Sequence, residues 1–163
     1  MENRFPGGSW PVMLTPFTED NKIDYDGLKE LVDWYIKNGV SGMFAVCQSS
    51  EMFYLSLDER VKYAAKTVEF AAGRVPVIAS GHVSDKIEDQ ITELNEIAKT
   101  GVDAVILITN RLAKEDEDDS VWIENCKKIL ENMDPNVPLG FYECPYPYKR
   151  LLTPETISWC AST

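Results

Sequence analysis

The sequence predicts an α/β fold of alternating strands and helices around a parallel sheet, and three observations predict it. Short, nearly continuous apolar runs recur along the 163 residues, at Trp10–Leu14, Gly42–Val46, Val75–Ser80, Ala104–Ile108 and Val137–Tyr142. Strands covered on both faces of a parallel sheet have this pattern. Amphipathic stretches lie between the runs, and the strand starts recur at intervals of about 30 residues, the length of a βα unit. The chain reads as five βα units in a row, with the last helix cut short at Thr163.

Each element has its own local justification. After the first run, Leu28, Leu31, Val32, Tyr35 and Ile36 form one helical stripe, closed by Gly39 at a C-cap position. After the second, Ser56-Leu-Asp-Glu59 is a capping box that opens a helix ending near Gly73. After the third, Ser84 is the expected N-cap of a helix with the stripe Ile87, Ile91, Leu94 and Ala98, ending at Gly101. The acidic run Glu115–Asp119 reads as a solvated loop and helix start, where acids suit the positive end of the helix dipole. Thr153-Pro154-Glu155 starts the fifth helix with proline at its first position.

The composition, 44% hydrophobic and 26% charged, is that of a globular chain. A formal charge of −11 argues against a nucleic-acid or anionic-membrane partner, because a phosphate field would repel it. No run approaches the roughly 20 apolar residues that a membrane span needs. The start MENRFPGGSWPV lacks an apolar signal region, and Cys47, Cys126, Cys144 and Cys160 form no CxxC pair. A reduced, cytoplasmic setting is the expectation.

Alternating βα units of one period admit two architectures. A five-stranded doubly wound sheet of the flavodoxin kind would be complete at this length. A (β/α)₈ barrel needs about 250 residues, so only five of its eight units would be present. The loop after the first run, LTPFTEDNKID, lacks a glycine-rich phosphate cradle, and the third run ends ASGH without an acceptor aspartate. The sheet fits the length but not the chemistry, and the barrel fits the chemistry but not the length, so the residues alone leave both open.

The segments GSWPVMLTPF, CQSSEMFYLSLDER, GRVPVIASGH and GFYECP, in this order and spacing, resemble the dihydrodipicolinate synthase / N-acetylneuraminate lyase family. The resemblance runs from about Gly7 to Thr163 and implies the N-terminal five units of a TIM (β/α)₈ barrel. Residues 1–163 would then be one portion of a single domain, with residues 1–8 as a tail. It implies a lyase or aldolase acting on pyruvate or a related 2-keto acid through a lysine Schiff base, without metal or other cofactor. The full-length parent is expected to be a homo-oligomer.

Residue by residue, Tyr142 in Y-E-C-P matches the family's proton-shuttling tyrosine. Gln48 and Ser49 fall on the two hydroxyl-bearing positions of the family's carboxylate loop, and Ser50 replaces its usual glycine. Ser49 keeps a hydroxyl; Gln48 cannot relay a proton as threonine can. Glu51 matches a family acid with a bracing role. In the family's T-P-Y-Y-type stretch this chain has Thr109-Asn110-Arg111-Leu112. The relay tyrosine is missing, and Arg111 is the candidate to hold an acidic substrate group. This departure points to a divergent branch with another second substrate.

The family's lysine lies on the sixth strand, beyond Thr163, and none of the lysines here falls inside a strand candidate. Only Lys149 approaches the right face, more readily as a solvated side chain than as a nucleophile. His82 reads as a loop or helix-start residue rather than a general base. Cys47, His82 and Cys144 share one rim but lack the spacing of a metal motif, so no metal site is assigned. On its own residues the chain is expected to be inactive. The rival readings are a non-catalytic keto-acid-binding fragment of the same family and a flavodoxin-like binding domain.

Overall fold

The computed structural model describes residues 4–162. Helices and strands alternate as expected: α1 (Tyr25–Lys37), β1 (Met43–Ala45), α2 (Leu57–Ala71), β2 (Val77–Ala79), α3 (Ile87–Ala98), β3 (Ala104–Ile108), α4 (Asp119–Glu131), β4 (Leu139–Tyr142) and α5 (Pro154–Ser162). The strands form one parallel sheet in the order β1-β2-β3-β4, with Phe44 beside Ile78 and Ile108 beside Tyr142. A doubly wound sheet reverses its strand order at a switch point. This one does not, so the flavodoxin-like alternative is excluded by topology. Successive helices touch in turn, α1 on α2, α2 on α3, α3 on α4 and α4 on α5, as in the outer ring of a barrel.

The sheet has two different faces. Met43, Ala45, Val77, Ala79, Val105 and Leu107 are buried in the main core with Leu28, Val32, Leu94, Ile97 and Ile129 from the helices. The opposite face carries a smaller cluster of Phe44, Cys47, Ala104 and Ile106, with Ile78 and Tyr142 half-buried against it. This second face is the inner wall of the barrel.

The predicted strand at Trp10–Leu14 is corrected to an extended segment with a single parallel bridge, Val12 to Phe44. Its ladder consists of Met13 N–H to Phe44 O at 2.9 Å and Phe44 N–H to Pro11 O at 3.0 Å. Pro11 has no N–H to extend it. Burial alternates here, with Met13 inside and Val12 and Leu14 exposed, instead of covering both faces. Next to it, the Trp10 ring lies where a side chain at Gly42 would be: a Cβ there would stand 2.1 Å from the indole.

The helix ends follow the sequence with one exception. Ser56 and Glu59 form the capping box at α2, Ser56 N–H donating to Glu59 Oε2 at 2.8 Å. Gly39, Gly73 and Gly101 all take the left-handed backbone that favours glycine. Ser84, however, does not cap α3, which begins after Lys86. Its hydroxyl donates instead to Glu93 Oε1 at 3.0 Å. That correction has a cause inside the core, where α3 buries the polar side chains Gln90 and Glu93 as well as Leu94 and Ile97. Among the described residues no helix is long and apolar enough to cross a membrane.

Candidate functional site

Because β1 to β4 run parallel, their C-terminal ends share one rim. The residues that follow each strand form the mouth of the half barrel: Val46–Glu51, Ser80–His82, Thr109–Arg111 and Glu143–Arg150.

The first of these loops leaves β1 sharply. Val46 is fully buried at φ +47°, a conformation that β-branched residues rarely adopt, and it throws the chain outwards. Gln48–Ser50 then make one 3₁₀ turn, closed by Glu51 at φ +59°. Ser50 turns inwards: it is fully buried, its hydroxyl donates to Met13 O at 2.7 Å, and it accepts the Cys47 N–H at 3.3 Å. Thr15 Oγ1 donates to Ser50 O at 2.7 Å. Ser50 therefore ties the Trp10–Leu14 segment to the site loop. Ser49 is exposed and Gln48 half-buried.

Tyr142 ends β4 with its ring edge-on to Phe44, centroids 5.4 Å apart at 87°. Burial, reinforced by the neighbouring Cys144 and Cys47, pushes its phenol up to about 12. At neutral pH it is a proton donor. Two residues on, the Cys144 thiol donates to Gln48 Oε1 at 3.3 Å, with Tyr146 O a more distant alternative acceptor at 3.5 Å. Burial raises that thiol as well, so it stays protonated. Gln48, Cys144 and Tyr142 thus meet at the mouth.

The loop after Tyr142 is held from the neighbouring strand end. Asn110 Nδ2 donates to Cys144 O at 2.8 Å and Tyr146 O at 2.9 Å, and also to Tyr148 O. Thr109 Oγ1 donates to Arg150 O at 2.7 Å. The Tyr148 hydroxyl returns to Asn110 O at 2.8 Å and to Ala113 O. Arg150 docks on the acidic run, donating to Lys114 O, Glu117 O and Asp119 Oδ1. Asp118 caps α4 through the Ser120 N–H, while Glu115, Asp116 and Asp118 stay exposed, as expected of a solvated helix start. Asn110 and Cys144 are residues to which the sequence assigned no role at the mouth. Their signal was a polar side chain directly after an apolar strand and a cysteine within Y-E-C-P.

Arg111 follows β3 on the same rim. Its guanidinium lies over the Phe53 ring at 5.2 Å and its Nη1 donates to Asp85 Oδ1 at 3.0 Å. It lines a cavity of about 590 Å³ with Asp85, Gln90, Asn110 and Tyr148. Its Nε is buried without a partner among the described residues.

His82 is fully buried, with both ring nitrogens engaged. Nε2 accepts the Ile108 N–H at 2.6 Å, and Nδ1 lies 2.9 Å from Gln90 Oε1. The proton therefore resides on Nδ1, and burial, ahead of the nearby Arg111 and Arg60 charges, brings the pKa down to about 4. Neither nitrogen is left for a metal or a substrate. Among the described residues no group of three or more His, Cys, Asp and Glu side chains converges as a ligand set. Lys149 is exposed, and so is every other lysine except Lys66, which is half-buried on α2. None sits in the buried pocket that a Schiff-base lysine needs.

A family model described as the dihydrodipicolinate synthetase family matches residues 6–161. The 4-hydroxy-tetrahydrodipicolinate synthase of Methanococcus maripaludis is 36% identical over 154 residues, which are 93% of this chain and 50% of that protein. The enzyme of the same name from Polynucleobacter asymbioticus is 33% identical over 138 residues, 85% of this chain and 43% of that protein. A solved dihydrodipicolinate synthase superposes with a TM-score of 0.82 at 32% identity, covering 94% of this chain and 51% of that one. The dihydrodipicolinate synthase of Acinetobacter baumannii, solved with pyruvate, gives a TM-score of 0.73 at 25% identity over 82% of this chain and 44% of that one. The chain spans about half the length of the curated relatives it matches. With a parallel half barrel and this match over nearly its whole length, the chain belongs to the dihydrodipicolinate synthetase family.

Proposed function

We propose that this chain supplies the keto-acid pocket and the proton-transferring tyrosine of a class I lyase or aldolase acting on pyruvate or a related 2-keto acid. In such a reaction a lysine amine adds to the keto carbon, and loss of one water leaves a protonated imine. That imine withdraws electrons as the neighbouring carbon–carbon bond forms or breaks. The observation that carries the reading is the meeting of Gln48, Cys144 and Tyr142 at the rim of parallel strands, where barrel enzymes place their chemistry.

In this reading Tyr142 carries the proton between the keto oxygen and solvent, and its high pKa keeps it in the donor form. Gln48 and Ser49 receive the carboxylate, Gln48 through its amide N–H groups and Ser49 through its hydroxyl. Arg111, in its own cavity beside Asp85, holds the acidic end of a second substrate rather than pyruvate. The nucleophilic lysine is supplied by polypeptide outside residues 1–163, and the parent assembles as a homo-oligomer in the cytoplasm.

The exposure of the lysines favours a second reading, a keto-acid-binding chain without covalent chemistry of its own. Intact-mass spectrometry after incubation with pyruvate and borohydride separates the two. The 163-residue chain alone is expected to stay unmodified while nuclear magnetic resonance shows pyruvate at the mouth. A reduced adduct on this chain would mean that one of its own lysines is the nucleophile. Absence of any pyruvate contact would remove the keto-acid reading altogether.

A further inference from the structure

Gln48 and Cys144 lie 96 residues apart in sequence, after strands that are not neighbours in the sheet, yet the thiol donates to Gln48 Oε1 at 3.3 Å. The thiol is held near this acceptor, its alternative, Tyr146 O, being the more distant at 3.5 Å. Cys144 is fully buried, its carbonyl is held by Asn110 Nδ2 at 2.8 Å, and its N–H donates to Tyr142 O at 2.9 Å. A carboxamide has one accepting end and one donating end. With Oε1 taken by the thiol, the Nε2 end of the half-buried Gln48 carries two N–H donors that meet no protein acceptor among the described residues.

We propose that Cys144 is a positioning residue that fixes the Gln48 carboxamide with its N–H end towards the mouth. Gln48 thereby becomes a preset double donor for an acceptor-only group of the substrate, a carboxylate. The proposal rests on the keto-acid reading of the mouth and adds a means of selection to it. A hydroxyl side chain at position 48 would both donate and accept, and would tolerate a substrate alcohol. The clamped amide only donates, so it discriminates in favour of an anion with free lone pairs. The raised thiol pKa keeps Cys144 protonated, which the clamp requires.

The test follows the Gln48 side-chain amide signal of the full ¹⁵N-labelled chain, identified by its loss in Gln48→Thr. In the ligand-free wild type and in Cys144→Ser this amide is expected to be rigid, and in Cys144→Ala mobile. Pyruvate is expected to shift it, whereas hydroxyacetone, which has the ketone without the carboxylate, leaves it in place. Losing one hydrogen bond of this kind weakens pyruvate binding about fivefold in Cys144→Ala, with Cys144→Ser within about twofold of wild type. A mobile wild-type amide, or no rescue by serine, overturns the clamp even where pyruvate shifts other residues. A rigid amide with no pyruvate shift anywhere refutes the keto-acid reading instead, and the carboxylate assignment with it.

Discussion

Arg60 Nη2 and Glu93 Oε1 meet at 2.7 Å between α2 and α3, with side chains only 5% and 8% exposed. The same carboxylate accepts the Val83 N–H at 2.8 Å, the Ser84 N–H at 3.1 Å and the Ser84 hydroxyl at 3.0 Å. Arg60 Nη1 also donates to Leu55 O at 3.1 Å. The pair therefore fixes both the loop after β1 and the loop after β2 from beneath the mouth. Removing one partner strands a buried charge, which costs about 3–5 kcal/mol. Arg60→Ala is expected to lose that much in urea denaturation, and a loss below about 1 kcal/mol would show that the pair is solvated.

His82 gives the chain an acid-sensitive core. Its folded pKa of about 4 lies below the ordinary value of 6.5, so the neutral ring is the folded form. Above pH 6.5 neither state binds the proton and the stability is intact. As pH falls from about 6.5 to about 4 only the unfolded chain takes it up, and about 3 kcal/mol is lost. Denaturation curves across this range should show the loss, and His82→Gln should flatten it. An imidazole resonance titrating near 6.5 in the folded protein would rule the account out.

Asn110 holds the loop after β4 with the two N–H groups of Nδ2, which are shared among three of the loop's carbonyls, those of Cys144, Tyr146 and Tyr148. Asn110→Ala leaves those acceptors without their donor, at a cost of about 2 kcal/mol. Asn110→Asp sets a carboxylate against the same oxygens and is expected to cost more. Amide hydrogen exchange should speed up across residues 144–150 in both variants while α1 stays unchanged. Uniform loosening of the whole chain would mean that Asn110 supports the core rather than this loop.

The sheet and its helices were legible because their signals are local. The run Ala104–Ile108 coincides with β3, and the Ser56–Glu59 box opens α2. The first strand was over-read, since WPVML has the apolar composition of a strand while Pro11 and an edge position limit it to one bridge. Ser84 was misassigned because a nearby cap and a distant carboxylate compete for one hydroxyl, and only the fold brings Glu93 within reach. At the mouth, the motifs made Tyr142 and Gln48 nameable as candidates, and both lie on the rim beside Cys144. The thiol between them was not legible, because nothing in a sequence joins positions 48 and 144.

Tyr142 offers the most direct probe of the mouth. Its phenol, pushed up to about 12 by burial first and by Cys144 and Cys47 next, favours the neutral form in the folded chain. The stabilisation is therefore present below pH 10 and is lost as pH rises through the folded value. Tyr142→Phe removes this pH dependence, so the wild type should lose stability relative to the variant as pH rises from 10 to 12. The hydroxyl gives up only a weak interaction with the Cys144 thiol, and the edge-on ring pair with Phe44 survives the substitution. Stability at pH 7 should therefore change by less than about 1 kcal/mol. In an assembly that includes the lysine, proton transfer should fall by about 10²–10⁴, with pyruvate affinity little altered. A phenol titrating near 10 would place Tyr142 in open solvent, and a Tyr142→Phe chain with unchanged proton transfer would move that role to another residue.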